Sequence, residues 1–329
     1  MKKRYIVGGT FLAIAAGLYI ANASWLVAPP NTQPQLLAHR GMYQRYNREG
    51  LTRDTCTATR IEKPSHDFLE NTLPSMRAAF DAGADAVEID IHPTTDGDFA
   101  VFHDWTLDCR TDGMGVTRDH SLAQLKALDI GYGYTHDGGK TYPFRGRFKG
   151  AMPSLSEVLS AFPDKAFLIN IKSNDPREAE KLDVWFKAHP QARPQRLNVF
   201  AGERPGNRLA ELRPELKPVS KPSLKSCGLS YLAAGWSGYM PRACHNTTLY
   251  VPLNLTWLAW GYPNRLQERF AKAGSYVYLV GAMKNDNGLP SINTPEDYAK
   301  VPKSWRMGVA TDSIETIGPL AKNTSGGAH

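Results

Sequence analysis

Short apolar runs recur along the chain between longer mixed segments: Leu36–Ala38, Ala86–Ile91, Ala100–Phe102, Ala166–Ile171, Leu197–Phe200, Leu249–Leu253, Tyr276–Val280 and Met307–Ala310. Each reads as a strand. Between several of them apolar residues return at helical spacing, as in Thr72–Ala82, where Leu73, Met76 and Phe80 share a face, and in Pro176–Ala188 and Asn264–Ala273. Strands alternating with helices imply a parallel sheet. Polar residues gather just after the early apolar runs, so the pattern predicts an α/β fold of the (β/α)8 TIM-barrel kind, whose active site lies at the carboxyl ends of the strands. A doubly wound open sheet is the alternative. Met42–Leu69 and Trp105–Met152 break the alternation and are read as loop insertions above the active face.

The amino end has a different pattern. Lys2, Lys3 and Arg4 precede an uncharged, mostly apolar run from Tyr5 to about Ala21. Its length approaches the ~20 residues that span a bilayer, so residues 1–24 are read as an N-terminal signal-anchor, with Ala21-Asn22-Ala23 as the cleavage site if the segment is a signal peptide instead. The basic end stays on the cytoplasmic side and the rest is exported, which places the chain in the cell envelope, anchored in the inner membrane. Residues 25–34 are proline-rich and form a linker. Residues 35–320 make up the catalytic domain and 321–329 a flexible tail. Export also lets disulfides persist. Among the four cysteines, Cys227 with Cys244 closes a short loop, and Cys56 with Cys109 joins two loops that follow active-face strands. A hydrophobic fraction of 42% supports a sizeable core, and the net charge of +7 is dispersed, which argues against nucleic acid as a partner.

The polar residues at the strand ends carry the chemistry. In the strand Val87-Glu88-Ile89-Asp90-Ile91, side chains alternate, so Glu88 and Asp90 share a face. Two carboxylates on one face resist burial unless a cation lies between them, and Mg²⁺ or Ca²⁺ suits oxygen ligands. His39 and His103 each follow an apolar run and can divide acid-base work in phosphodiester cleavage, one removing a proton from the nucleophile and the other donating to the leaving alkoxide. Arg40 offers a planar fork for phosphate oxygens. Asn170 and Lys172 share a face by the same alternation, and Lys172 adds positive charge for the phosphate. Glu70-Asn71-Thr72 precedes a helix, where Asn or Thr caps, and Glu70 supports a histidine or the metal. Asp104 and Asp312 are read as positioning acids. His92 shares the parity of Glu88 and is given no role. Trp105, Trp236, Trp257 and Trp260 are candidates to wall an apolar pocket.

Taken together, His39-Arg40-Gly41, Glu70-Asn71-Thr72, Glu88-Ile89-Asp90 with Thr95-Asp96-Gly97, and Val101-Phe102-His103-Asp104 resemble the glycerophosphodiester phosphodiesterase family. The resemblance extends through Thr111-Asp112-Gly113, Met152-Pro153-Ser154-Leu155 and Ala310-Thr311-Asp312. It implies a (β/α)8 barrel that hydrolyses glycerophosphodiesters to an alcohol and glycerol 3-phosphate with Mg²⁺ or Ca²⁺. It places acid-base work on His39 and His103, phosphate contact on Arg40 and Lys172, and metal ligation on Glu88 and Asp90. The family's usual third metal ligand, a glutamate two residues before the lysine, is Asn170 here. An amide oxygen still coordinates these ions but brings one negative charge fewer, which implies weaker metal binding. The substrate expected is a glycerophosphodiester. Two other readings stand beside it: a phospholipase D-type enzyme acting on lysophospholipids, and a catalytically silent barrel that binds phosphate headgroups or envelope glycans.

Overall fold

The computed structural model describes residues 15–32, 34–52, 55–193, 196–283 and 290–325. Eight strands form one sheet: β1 (Gln35–Ala38), β2 (Ala86–Pro93), β3 (Phe99–Val101), β4 (Ala166–Ile171), β5 (Leu197–Phe200), β6 (Thr248–Pro252), β7 (Tyr276–Val280) and β8 (Gly308–Thr311). The order is β5-β4-β2-β1-β8-β7-β6, every neighbouring pair is parallel, and β3 pairs with β2 off this path. Beyond β5 the chain continues the parallel pattern with one bridge, Phe200 to Val219, secured by Val219 N–H to Val199 O at 2.8 Å.

Alternation sorts the side chains into two layers. On β1, β2 and β4, Leu36, Val87, Ile89, Phe167 and Ile169 face the helices in the main core. The opposite face holds a second cluster in which Leu37, Leu168, Tyr278, Val280 and Ala310 meet Phe200 of β5 and Tyr250 of β6. Residues from both ends of the strand order share this interior, so the sheet is curled. Continuing the same alternation carries Glu88, Asp90, Asn170 and Lys172 along the interior face toward the carboxyl ends.

The run at Ala100–Phe102 is not a parallel strand of the curled sheet. Residues 99–101 pair antiparallel with β2, Ile91 opposite Val101. Only Thr94–Asp98 separates the two strands, with Gly97 at φ 91° and Thr94 N–H bonded to Asp98 O at 2.9 Å. A parallel crossover needs about a dozen residues, so this connection can only form a hairpin. Its consequence is functional: the hairpin returns the chain to the carboxyl end of β2, where Phe102 N–H bonds Asp90 O at 3.0 Å and delivers His103.

The helix expected at Thr72–Ala82 spans Leu73–Ala82; Thr72 Oγ1 accepts from Ser75 N–H at its start and Gly83, at φ 112°, ends it. The other two run Arg177–Ala188 and Asn264–Lys272. The two insertions pack on each other through Ala58, Ile61, Leu69, Tyr134 and Phe144. Disulfides join Cys56 to Cys109 and Cys227 to Cys244.

At the amino end, residues 1–14 of the expected anchor lie outside the described residues. Residues 15–22 are helical. Among the described residues no helix is long and apolar enough to cross a membrane. The end of this helix and the segment after it are bonded to the domain: Asn264 N–H to Ser24 Oγ at 2.7 Å, Asn264 Nδ2 to Val27 O at 2.9 Å, and Arg269 Nη2 to Ala21 O at 3.0 Å.

Candidate active site

The carboxyl ends of β1, β2, β4 and β8, with the hairpin, bring the expected side chains together around Asp90. This carboxylate is fully buried. Oδ1 accepts from Lys172 Nζ at 3.1 Å and Asn170 Nδ2 at 2.9 Å, while Oδ2 accepts from Asn71 Nδ2 at 3.0 Å, with Arg40 Nε 3.4 Å away. Parallel register places Asp90 directly beside Asn170. Burial alone would raise the Asp90 pKa, but Lys172, His103 and Arg40 outweigh it and hold the group well below the ordinary carboxylate range.

Glu88 lies one position deeper on the same face, with Oε2 3.5 Å from His39 Nε2. Its pKa moves the other way: burial raises it, the charge of Asp90 adds to the rise, and His39, Arg40 and Lys172 oppose without prevailing. The positive charge that the paired carboxylates demanded is therefore supplied in part by the chain itself, and mostly to Asp90.

Each histidine has its own aspartate. His39 Nδ1 lies 2.8 Å from Asp312 Oδ1, and His103 Nδ1 lies 2.6 Å from Asp104 Oδ1. Such a partner fixes the ring and its tautomer through Nδ1. The two rings differ electrostatically. Burial and Arg40 push the His39 pKa down, but Glu88 and Asp312 prevail and raise it. Burial, Arg40 and Lys172 together lower His103 to about 4 against the pull of Asp90 and Asp104. Asp312 is itself held low by His39 and Arg48 despite burial, and Ser291, Asn293 and Arg48 bond its oxygens.

Arg40 is nearly buried. Its Nε donates to His39 Nε2 at 3.0 Å and its Nη1 to Glu70 Oε1 at 3.1 Å. Its backbone, like that of Asn71, sits at φ 58°, a region non-glycine residues seldom occupy, and Asn71 N–H bonds Arg40 O at 3.0 Å. Strain of this kind concentrates where a side chain has to be aimed. The neighbouring Gly41, at φ 82°, passes so close to Ser75 that a Cβ would collide with its Oγ.

Glu70 does not reach a histidine directly. Its second oxygen accepts from Arg110 Nη1 at 3.1 Å, and Arg110 Nε donates to Asp104 Oδ2 at 2.8 Å. Arg110 was not among the residues singled out from the sequence, yet it ties Glu70 to the Asp104–His103 pair. The available signal was its place beside Cys109 and before Thr111-Asp112-Gly113. His92 is fully buried against the edge of Trp105, and burial lowers its pKa to about 3. It belongs to the packing beneath the site.

By residue type the carboxylates of Glu88 and Asp90 and the Asn170 amide oxygen suit a hard divalent cation, with Asn170 here turning its Nδ2 to Asp90. The raised pKa of Glu88 marks a buried carboxyl short of positive charge, where such an ion is favoured. Among the described residues no group of three or more His, Cys, Asp or Glu side chains is gathered as a metal site.

A curled parallel sheet with two His–Asp pairs, a buried arginine and a carboxylate pair at its carboxyl ends defines the class. The Glycerophosphoryl diester phosphodiesterase family model matches residues 39–199 of this chain. A Caldanaerobacter subterraneus glycerophosphodiester phosphodiesterase is 38% identical over 109 residues, 33% of this chain; the matched stretch spans 41% of that relative's length. Among solved structures, the glycerophosphoryl diester phosphodiesterase domain of an uncharacterized Mycobacterium tuberculosis protein aligns with a TM-score of 0.62 and 17% identity, covering 88% of this chain and 99% of that one. An Oleispira antarctica phosphodiesterase in complex with the product sn-glycerol-3-phosphate aligns at a TM-score of 0.55 and 20% identity, covering 88% and 97%. These two likenesses establish the fold.

Proposed function

We propose that the protein hydrolyses glycerophosphodiesters to an alcohol and glycerol 3-phosphate, using His39 and His103 as acid and base and a divalent cation held by Glu88, Asp90 and Asn170. The observation that carries this reading is the pair of aspartate-oriented histidines flanking one buried, cation-lined carboxylate site. The match to the family model over residues 39–199 supports it. The sheet is read as a (β/α)8 barrel in which the Val219 bridge takes the position between β5 and β6. Residues 1–24 are read as an inner-membrane anchor that leaves the domain in the periplasm or outside the cell. Substrates presented near a bilayer, lysophospholipids among them, fall within the same chemistry.

In the mechanism, Arg40 and Lys172 face the non-bridging phosphate oxygens, whose charge redistributes as phosphorus is attacked. One histidine removes a proton from the attacking hydroxyl, and the other delivers one to the departing alkoxide. Asp312 and Asp104 hold the two imidazoles in place through Nδ1. When bound, Mg²⁺ or Ca²⁺ supplies Lewis-acid stabilisation of the phosphoryl oxygens.

The test is turnover of glycerophosphocholine, glycerophosphoethanolamine and a lysophospholipid by the full chain, with Mg²⁺, with Ca²⁺ and with EDTA. Release of glycerol 3-phosphate that EDTA abolishes and either ion restores is the expected outcome. Absence of turnover with every substrate and metal would instead favour a binding role. A second expectation concerns the amide. Asn170→Glu restores a third carboxylate beside Asp90, so the half-activating Mg²⁺ concentration should fall about tenfold or more, in line with the dependence of ion affinity on ligand charge. An unchanged metal titration would remove position 170 from the ligand set.

A further inference from the structure

We propose that the face built by Trp25, Trp236 and Trp260, at the carboxyl end of the residue 15–22 helix, docks on a phospholipid bilayer and lies in its interfacial layer. This rests on the reading of residues 1–24 as a membrane anchor. The helix and the two downstream tryptophans enclose an open cleft of about 640 Å³ lined by Leu18, Tyr19, Ala23, Trp25, Trp236 and Trp260, with none of the catalytic side chains in it. Tyr19 is 67% exposed, Trp25 70%, Trp236 43% and Trp260 39%. A cluster of exposed aromatic side chains this dense marks an interaction surface, and Trp and Tyr are the residues enriched where protein meets lipid headgroups.

Three further observations select a bilayer. First, the apolar segment is splinted to the domain. Arg269 donates to Ala21 O at 3.0 Å, Asn22 Oδ1 at 3.0 Å and Gly235 O at 2.9 Å, and Asn22 Nδ2 donates to Trp236 O at 2.6 Å. The end of the apolar segment is thereby held beside Trp236. Second, the indole N–H groups are already satisfied inside the protein, Trp236 on Ala233 O at 2.9 Å and Trp260 on Leu232 O at 2.8 Å, which leaves the apolar ring surfaces outward. Third, the charge is one-sided. Between Glu215 and Glu268 the chain has no acidic residue, while it carries Lys217, Lys221, Lys225, Arg242 and Arg265. On the Lys221–Ala234 helix the exposed positions change from Lys221 and Lys225 to Leu229 and Leu232 and lead to Trp236. Lysines at one end and apolar side chains at the other match the gradient from anionic headgroups to acyl chains.

The experiment uses the full chain reconstituted with phosphatidylethanolamine and phosphatidylglycerol vesicles, made with and without acyl-brominated lipid, which quenches indoles that touch it. Brominated lipid should quench part of the tryptophan fluorescence, and Trp25→Phe, Trp236→Phe and Trp260→Phe should each remove a share of the quenchable signal. Trp305→Phe, at a fully buried position, should leave that signal unchanged. Phenylalanine keeps most of the packing, and the melting curve of each variant verifies the fold. If the chain co-sediments with vesicles but the three substitutions leave the quenching intact, the anchor stands and the docking surface is wrong. If it does not co-sediment, the anchor reading fails and takes this proposal with it.

Discussion

Alanine at His39 or at His103 should each lower kcat for the best glycerophosphodiester by about 10²–10⁴-fold, the range spanned by a positioned acid or base. The geometry makes this the most severe catalytic lesion available. Each ring has Nδ1 committed to an aspartate, at 2.8 Å for His39 and 2.6 Å for His103, and each belongs to the same cation-lined site around Asp90. The double variant should fall little below the worse single one, because residues that act as a unit lose their effect together. Asp312→Asn and Asp104→Asn should show smaller losses in kcat with KM nearly unchanged, since they orient the rings without facing the substrate. Steady-state kinetics on purified full chain decides the matter. A kcat within tenfold of wild type for either alanine variant would exclude that histidine from proton transfer.

The parts of this site that were legible in the sequence are those written in strand alternation and in local motifs. Glu88 with Asp90, and Asn170 with Lys172, share a face because strand side chains repeat every two residues, and the structure brings both pairs into one cluster. The capping role of Thr72 was equally local. What alternation could not show was direction. Ala100–Phe102 has the composition of a strand, but the shortness of Thr94–Asp98 decides that it runs back along β2 and makes a hairpin. Nor could it show pairings over long sequence distances. Asp312 meets His39 only because β8 lies beside β1 in register, Ala38 opposite Thr311. Arg110 meets Glu70 only because the two insertions fold together. Nothing in the spacing of charges along the chain encodes that contact.

Arg110 carries the second large expectation. Its guanidinium is buried and donates to Asp104, Glu70, Tyr134 Oη at 2.5 Å and Thr57 Oγ1 at 2.7 Å. It thereby couples the acid that orients His103 to the acid that holds Arg40, and the Cys56–Cys109 disulfide lies immediately before both Thr57 and Arg110. Arg110→Met would leave Glu70 and Asp104 buried without their shared cation. Both carboxylates are now held below their ordinary range with Arg110 as the leading opposing charge to burial. Removing one partner from a buried ion pair costs about 3–5 kcal/mol, which for a domain of this size lowers the melting midpoint by roughly 5–8 °C. The catalytic loss should be separate from the thermal one. At temperatures well below the variant's midpoint, kcat should still drop by about 10-fold or more, because His103 and Arg40 lose their alignment. Arg110→Lys keeps the charge but not the planar fork, so it should recover stability more fully than kcat. Equal recovery of both by lysine would make Arg110 a structural counter-ion with no part in positioning the site.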